Sequence, residues 1–472
     1  MLDKYTHDPT GGASLYDDTP SVIGYPARSA TQAYPFDTTE KILELIEKYK
    51  KENKPQEVSF RELVFWLKVG ERATHYIHPY PAKLLPQIAH FFLASNILAN
   101  SDDFVLDPFS GTGTVALEAN LSGRNAFFSD ANPLARLIAS VKTSQFSIEE
   151  INIAAEKLRH SYARKRKITS PMVININLWY DEKICRQLSR LRWAIDDMQE
   201  SKVKDLLWVT FSWVARKLSN ADPRLSVPVR VKVPKWDENS TPNVWTFFSN
   251  QLQANILRIG ESERLRRASS VASECVGRDA RSLRFPSLWN DDETKRLADE
   301  SVGLVITSPP YAGAQKYIRA SSLSLGWLKL AEAHQLKQLE NQNIGREHLP
   351  KSVYDAVQST GISAADEVLD LIYKKNPLRA AIAGVYINEM RSAVNEMVRV
   401  LKSGGYVVMV IGNNDVCGYN FQSSEYMSSL LASVGLTPVM KLVDEIKSRG
   451  LMTKRNRTAS VISREWVLVY KK

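Results

Sequence analysis

Cysteine is scarce in this chain of 472 residues: Cys185, Cys275 and Cys417 lie far apart and never in CxxC spacing. That excludes a disulfide framework and, with seven histidines that form no partner set, argues against a zinc centre. A reducing compartment and no structural metal are expected. The stretch from Met1 to Pro9 has charges where a signal peptide needs an apolar run, so no leader is expected. The longest apolar run, around Phe91 to Ala99, is too short to span a bilayer, so the protein is expected to be cytoplasmic, with no membrane partner. No internal repeat and no P-loop GK[ST] signature is present. What the chain has in excess is positive charge: 62 Lys and Arg against 52 Asp and Glu, a net +10. Cations on this scale favour an anionic partner, nucleic acid ahead of a membrane surface. The length exceeds what one hydrophobic core organises, and 44% hydrophobic residues supply the material for more than one.

Residues 1–38 are rich in Gly, Ser, Thr, Pro and Tyr without periodicity, which predicts a flexible N-terminal arm. Residues 39–144 begin with helical spacing (Ile42, Leu43, Leu45, Ile46, then Phe60 to Val69). They continue as helix (Lys83 to Ala94), short strand (Phe104 to Asp107), glycine turn, helix (Val115 to Leu121) and strand (Asn125 to Ser129). This is a βαβ unit, whose right-handed crossover puts the glycine turn at the carboxyl edge of a parallel sheet, where ligands bind. Residues 145–270 break the alternation with a basic helix (Ile148 to Lys167), a tryptophan-rich stretch and the alternating run Val229 to Val233, and are predicted to be an inserted, mainly helical lobe. Residues 271–472 resume with strands at Glu274 to Val276, Val302 to Thr307 and Tyr406 to Ile411, interrupted by a polar helical insertion at about 331–378. Thr437 to Val443 and Trp466 to Tyr470 read as an antiparallel pair joined by a basic loop.

The turn Asp107-Pro108-Phe109-Ser110-Gly111-Thr112-Gly113-Thr114 puts an acid at a strand end and two glycines before a helix. Glycine lets a ligand approach the backbone, and the helix start offers free N–H donors. Ala116 stands where a dinucleotide fingerprint needs its third glycine, which weakens NAD. Asp130 ends the next strand, where a carboxylate accepts both hydroxyls of a ribose, in NAD and S-adenosylmethionine alike. Asp279, after the strand through Cys275, is placed to receive the amino group of an adenine ring. Any one of these acids alone reads more simply as a cap or turn residue; their serial placement around one glycine turn favours a cofactor.

Thr307-Ser308-Pro309-Pro310-Tyr311 follows the apolar strand Val302 to Ile306 directly. An exocyclic amine on a nucleobase is a poor nucleophile because its lone pair is delocalised into the ring, so acceptors must hold its two hydrogens. Ser308 Oγ accepts one, and the Pro309 carbonyl, in a turn stiffened by Pro309 and Pro310, accepts the other. Tyr311 offers a face for stacking an extruded base, a contact worth about 1–3 kcal/mol in single-strand binders.

These segments resemble the amino-group DNA methyltransferases, which make N4-methylcytosine or N6-methyladenine. Asp107-Pro-Phe-Ser-Gly-Thr-Gly resembles the family's cofactor motif I, Asp130-Ala131-Asn132-Pro133 motif II, Gly277-Arg-Asp279-Ala280-Arg motif III, and Thr307-Ser-Pro-Pro-Tyr motif IV. Upstream, His78-Pro-Tyr-Pro81-Ala-Lys83 resembles the motif X segment that covers the methionine end of the cofactor. The resemblance covers about 75–145, 270–330 and 380–472, and implies a seven-stranded, Rossmann-like class I methyltransferase sheet that binds S-adenosylmethionine. By this reading His78, Pro81, Lys83, Asp107, Pro108, Phe109, Gly111, Gly113, Thr114, Asp130, Ala131, Asn132, Asp279 and Ala280 bind cofactor, and Ser308, Pro309, Pro310 and Tyr311 form the catalytic turn. A serine at the first motif IV position is commoner among N4-cytosine enzymes, which favours cytosine over N6 of adenine. No cysteine follows a proline, which disfavours C5-cytosine chemistry. RNA or protein-glutamine amino-methyltransferases, which use a related site, are the runner-up.

Double-stranded DNA is the expected partner, together with a cognate restriction endonuclease. The inserted lobe is the candidate for target recognition: Arg164, Lys165, Arg166, Lys167, Arg216, Lys217, Arg224, Arg230, Lys232 and Lys235 are interleaved with Trp179, Trp208, Trp213, Trp236 and Trp245. The plainer alternative is a helical lobe with tryptophans in its core and solvated charges. A second basic stretch (Lys447, Arg449, Lys454, Arg455, Arg457) is a further candidate for phosphate contact.

Overall fold

The computed structural model describes residues 37–67, 72–81, 83–164, 173–236, 241–266, 271–285, 295–312, 317–446 and 463–472. Nearly all of the expected N-terminal arm, the cations Lys165, Arg166 and Lys167, and the basic stretch Lys447 to Arg457 lie outside the described residues.

The first part of the chain forms α1 (Thr39–Glu52), β1 (Gln56–Val58), α2 (Phe60–Leu63), α3 (Pro86–Leu93), β2 (Phe104–Asp107), α4 (Thr114–Leu121), β3 (Ala126–Phe128) and α5 (Pro133–Thr143). The interruption is helical: α6 (Ile148–Ala163), α7 (Ile176–Trp179), α8 (Glu182–Asp196), α9 (Lys202–Leu218) and α10 (Val244–Leu265). There follow β4 (Ser273–Cys275), β5 (Arg284–Phe285), β6 (Lys295–Arg296), β7 (Val302–Thr307), α11 (Tyr317–Trp327), α12 (Gln335–Gln342), α13 (Ser363–Lys375) and α14 (Pro377–Val400). The chain closes with β8 (Leu401–Ile411), the short hairpin β9 (Asn414–Val416) and β10 (Tyr419–Phe421), α15 (Ser423–Ser433), β11 (Thr437–Glu445) and β12 (Arg464–Lys471).

Eight strands form the main sheet in the order β1-β11-β12-β8-β7-β2-β3-β4. β4, β3, β2, β7 and β8 run parallel, and β12 is antiparallel to both β8 and β11. The expected Rossmann-like sheet is therefore present, with β1 added in parallel to the edge of β11. Central strands covered on both faces need unbroken apolar runs, and β7 is buried at every position. One face is covered by a core that includes Phe91, Phe92 and Val115, the other by Tyr386, Met390 and Met427. A third core, with Leu188, Leu206, Phe211 and Phe248, organises the inserted helices, and it reaches the sheet domain through Leu134 and Ile138 of α5 and Trp327 of α11. Trp179, Trp208, Trp213, Trp236 and Trp245 all pack on this third core. Their main work is lobe packing, the plainer of the two alternatives.

From β2 the chain adds β3 and β4 on one side, then returns as β7 on the other. Loops leaving β2 and β7 consequently diverge, and a crevice opens at their carboxyl ends.

Candidate active site

The glycine turn fills one side of this crevice. Gly111 and Gly113 both adopt left-handed backbone, with φ of +50° and +74°. They do so for different reasons. A Cβ on Gly111 would come no closer than 4.0 Å to its nearest neighbour, Tyr80, so the backbone there faces open space. A Cβ on Gly113 would stand 2.8 Å from that of Ala139, so this glycine lets α4 pack on α5. Asp130, at the end of β3, accepts the Gly111 N–H at 2.9 Å and the Asn132 N–H at 2.8 Å, which fixes the carboxylate against the turn. Burial still pushes its pKa up to about 6. Asp107 is more enclosed, and burial lifts it to about 7. Its Oδ1 accepts the Phe109 N–H at 3.1 Å and the Thr307 hydroxyl at 2.6 Å. That second bond ties the end of β7 to the end of β2.

The two turns and a segment of the later insertion enclose a hollow of about 600 Å³, open to solvent. From the sequence-predicted set it brings together Pro108, Phe109, Gly111, Asp130, Ala131, Asp279, Ala280, Ser308 and Pro310. Tyr80, Arg278, Tyr317, Gln342, Asn343 and Ile344 complete the wall and were not predicted. Tyr80 and Arg278 sit inside motif strings already quoted. The others follow from tertiary packing: Arg281 donates to Asp279, to Glu389 of α14 at 2.8 Å and to the Gln342 carbonyl at 3.1 Å. Arg346 grips the same Glu389 at 2.7 and 2.9 Å. This double clamp holds Gln342–Ile344 across from the glycine turn. The Asp279 carboxylate is thus engaged with Arg281, and an adenine amino group must share it.

Several predicted residues do not reach the wall. His78 is buried and shares a hydrogen bond with Ser212 of α9 at 2.9 Å, while Ser212 donates to Ser324 of α11 at 2.8 Å. Burial holds the His78 imidazole neutral, with a pKa down to about 3. Lys83 donates to the carbonyls of His75 and His78, closing the turn that carries Tyr80; Pro81 lies within that turn. Asn132 caps α5 through the Leu134 N–H and donates to Tyr80 OH at 3.0 Å and Ser321 at 2.9 Å. Thr114 is buried at the start of α4, and Pro309 is buried between Ser308 and Pro310. Tyr311 is only 8% exposed, with its hydroxyl on Glu465 of β12 at 3.0 Å. In this conformation it braces the turn, and the aromatic surface of the hollow comes from Phe109, Tyr80 and Tyr317, the two tyrosine rings being parallel with centroids 6.5 Å apart.

Residues 75–169 match the UPF0020 family, described as an RMKL-like methyltransferase domain. Over 407 residues the chain is 23% identical to the Type II methyltransferase M.MvaI of Kocuria varians, covering 82% of this chain and 87% of that one. A 77-residue stretch is 36% identical to the Type II methyltransferase M.MjaII of Methanocaldococcus jannaschii, covering 16% of this chain and 14% of the relative. Among solved structures, a SAM-dependent methyltransferase from Methanosarcina mazei aligns over 83% of this chain and 99% of its own, at 10% identity and a TM-score of 0.29. The sheet order, with its hollow at the switch point, is that of the Rossmann-like class I methyltransferase fold. More narrowly, the match to a methyltransferase domain and the likeness to two Type II methyltransferases support the resemblance of its motifs to the amino-group DNA methyltransferases.

Proposed function

We propose that this protein transfers the methyl group of S-adenosylmethionine to the exocyclic amino nitrogen of a base extruded from DNA, N4 of cytosine in preference to N6 of adenine. The observation that carries the reading is that Ser308 lines the same hollow as Gly111 and Asp130. The donor set fits the cofactor. Asp130 is oriented to accept ribose hydroxyls, Asp279 stands where an adenine amino group needs an acceptor, and Phe109, Ala280 and Ile344 give apolar walls for a purine. The buried hydroxyl of Ser110, in the turn itself, has no protein partner.

When bound, the cofactor supplies an electrophilic methyl on a sulfonium. The chain's task is then to present a nitrogen lone pair to it. Ser308 Oγ and the Pro309 carbonyl accept the two amino hydrogens, which favours a tetrahedral nitrogen with its lone pair directed into the hollow. The Asp107–Thr307 bond fixes the separation between the cofactor turn and this acceptor turn, so positioning contributes much of the rate. Tyr317 and Tyr80 offer the faces against which the base rests. Ser308, a half-buried residue, carries the hydroxyl through which the surplus amino proton leaves.

The Type II designation of both curated relatives supports a pairing with a restriction endonuclease. Incubating the protein with methyl-labelled cofactor and plasmid DNA, transfer RNA or total protein tests the substrate class. Label is expected in DNA and, after hydrolysis, in N4-methylcytosine; label confined to RNA or protein would overturn the reading.

A further inference from the structure

The inserted lobe carries an arm, residues 219–236, between α9 and α10. It is exposed, yet it is built rather than loose. The Asp222 N–H donates to the Val229 carbonyl at 2.7 Å and the Val231 N–H to the Asn220 carbonyl at 2.9 Å, around a single antiparallel bridge between Ala221 and Arg230. Arg216 donates to the Leu225 carbonyl at 2.7 Å, and Lys235 to the Ser219 carbonyl at 2.8 Å, so two cations of the segment's surroundings serve as internal struts. Arg224 is paired with Asp222, the one acid between 219 and 236.

What remains is unusual for a rigid surface. Leu225, Val229 and Val233 are 44%, 49% and 77% exposed, and the side chains of Arg230 and Lys232, which alternate with the valines, have no ion pair or hydrogen bond among the described residues. Ordering apolar side chains in water has no return unless a partner covers them. Unpaired cations beside them select a polyanion that also offers apolar contact surface: the bases and phosphates of a DNA groove. The arm's root also lies at a suitable distance from the hollow. α11 starts at Tyr317 on the wall and ends at Trp327, whose ring meets Tyr180 at 5.4 Å, while the neighbouring Trp179 carbonyl accepts the Asn220 N–H at the root. Eleven helical residues span about 15 Å, which is within reach of the groove flanking an extruded base.

We infer that the 219–236 arm is a DNA-contacting element, with Arg230 and Lys232 on phosphates and Val229 and Val233 against the groove. The inference rests on the DNA reading above and adds to it where sequence is read. Its test compares wild type with Arg230→Ala/Lys232→Ala and Val229→Ser/Val233→Ser. Binding to a random-sequence 30-base-pair duplex is measured across a salt series, cofactor binding by calorimetry, and plasmid methylation by single-molecule sequencing. The charge variant is expected to lose on the order of tenfold in duplex affinity and to flatten the log-affinity against log-salt slope by about 2, one unit per lost phosphate contact. The valine variant is expected to spread methylation over sequences that wild type leaves unmodified. Cofactor affinity and melting temperature stay at wild-type values in both. Wild-type behaviour of both variants on DNA would overturn the arm's role while leaving the methyltransferase reading intact. Failure of the wild type itself to bind or modify DNA would overturn both.

Discussion

Asp130 meets opposing demands: two backbone N–H groups hold it as a carboxylate, while burial pushes its pKa up to about 6. A ligand that donates hydroxyl hydrogens to it selects the ionised form. Cofactor affinity should therefore rise by up to tenfold per pH unit below about 6 and level off above it. Calorimetry from pH 5 to 8 checks this, and Asp130→Asn should give weaker binding without the slope; a sloped profile in the variant would assign the titration elsewhere. Glu118 shows the opposite balance. Burial alone would raise its pKa, but Arg72, His75 and His90 hold it well below the usual range. Its contribution to stability is present above the ordinary glutamate pKa and is lost as pH falls through the depressed value. Glu118→Ala removes the buried carboxylate on which Arg72, His75 and His90 converge, with an expected loss of about 3–5 kcal/mol in denaturant unfolding. None of this network was legible in sequence, because its members come from three separate places: the 72–81 segment (Arg72 and His75), α3 (His90) and α4 (Glu118). Asp107, Gly111, Asp130 and Ser308 were legible, because each stands at a strand end inside a short local string.

At the level of elements, β2, α4, β7, β11 and β12 fall close to their expected bounds, since apolar runs ending in turn residues are local signals. Three elements depart from the expected pattern, and two of them have a clear physical cause. The helix expected from Lys83 starts at Pro86, because proline lacks the N–H an interior position needs and biases Leu85 before it to extended backbone, so it takes the first helical position. The helix expected over Phe60 to Val69 ends at Leu63. β1 has only three residues, Gln-Glu-Val, and gains strand structure from pairing with Leu442–Asp444 at the sheet edge. The wall formed by Gln342–Ile344 belongs to the same class, since only the Arg281–Glu389–Arg346 clamp brings that segment to the hollow. Glu389→Gln should release it, weakening cofactor binding on the order of tenfold with a smaller change in melting temperature. An unchanged Kd would show that the wall stands without the clamp. Gly113→Ala tests helix packing instead. The added Cβ at 2.8 Å from Ala139, with φ at +74°, should cost about 1–3 kcal/mol, read as a lowered thermal midpoint.

Across the described residues, three large cores divide the work, with a small fourth cluster around Leu117 and Leu121. Two sandwich the sheet and fix the glycine and acceptor turns at its switch point; the third builds the helical lobe and is joined to the site by α5 and α11. Composition indicated an anionic partner, and the motif strings indicated the chemistry, but the joint between lobe and hollow depends on pairs such as His78 with Ser212 that no local pattern announces. No helix among the described residues is long and apolar enough to cross a membrane. The central claim is that Ser308 activates a base amine beside a cofactor held at Gly111 and Asp130. Single-molecule sequencing of plasmid DNA from cells expressing wild type or Ser308→Ala tests it most directly, with cofactor binding measured on both purified proteins. The account predicts N4-methylcytosine at a defined sequence with wild type, a loss of roughly a hundredfold or more in methylation rate with the variant, and matching cofactor affinities. Undiminished modification by Ser308→Ala, or unmodified DNA with the wild type, would contradict it.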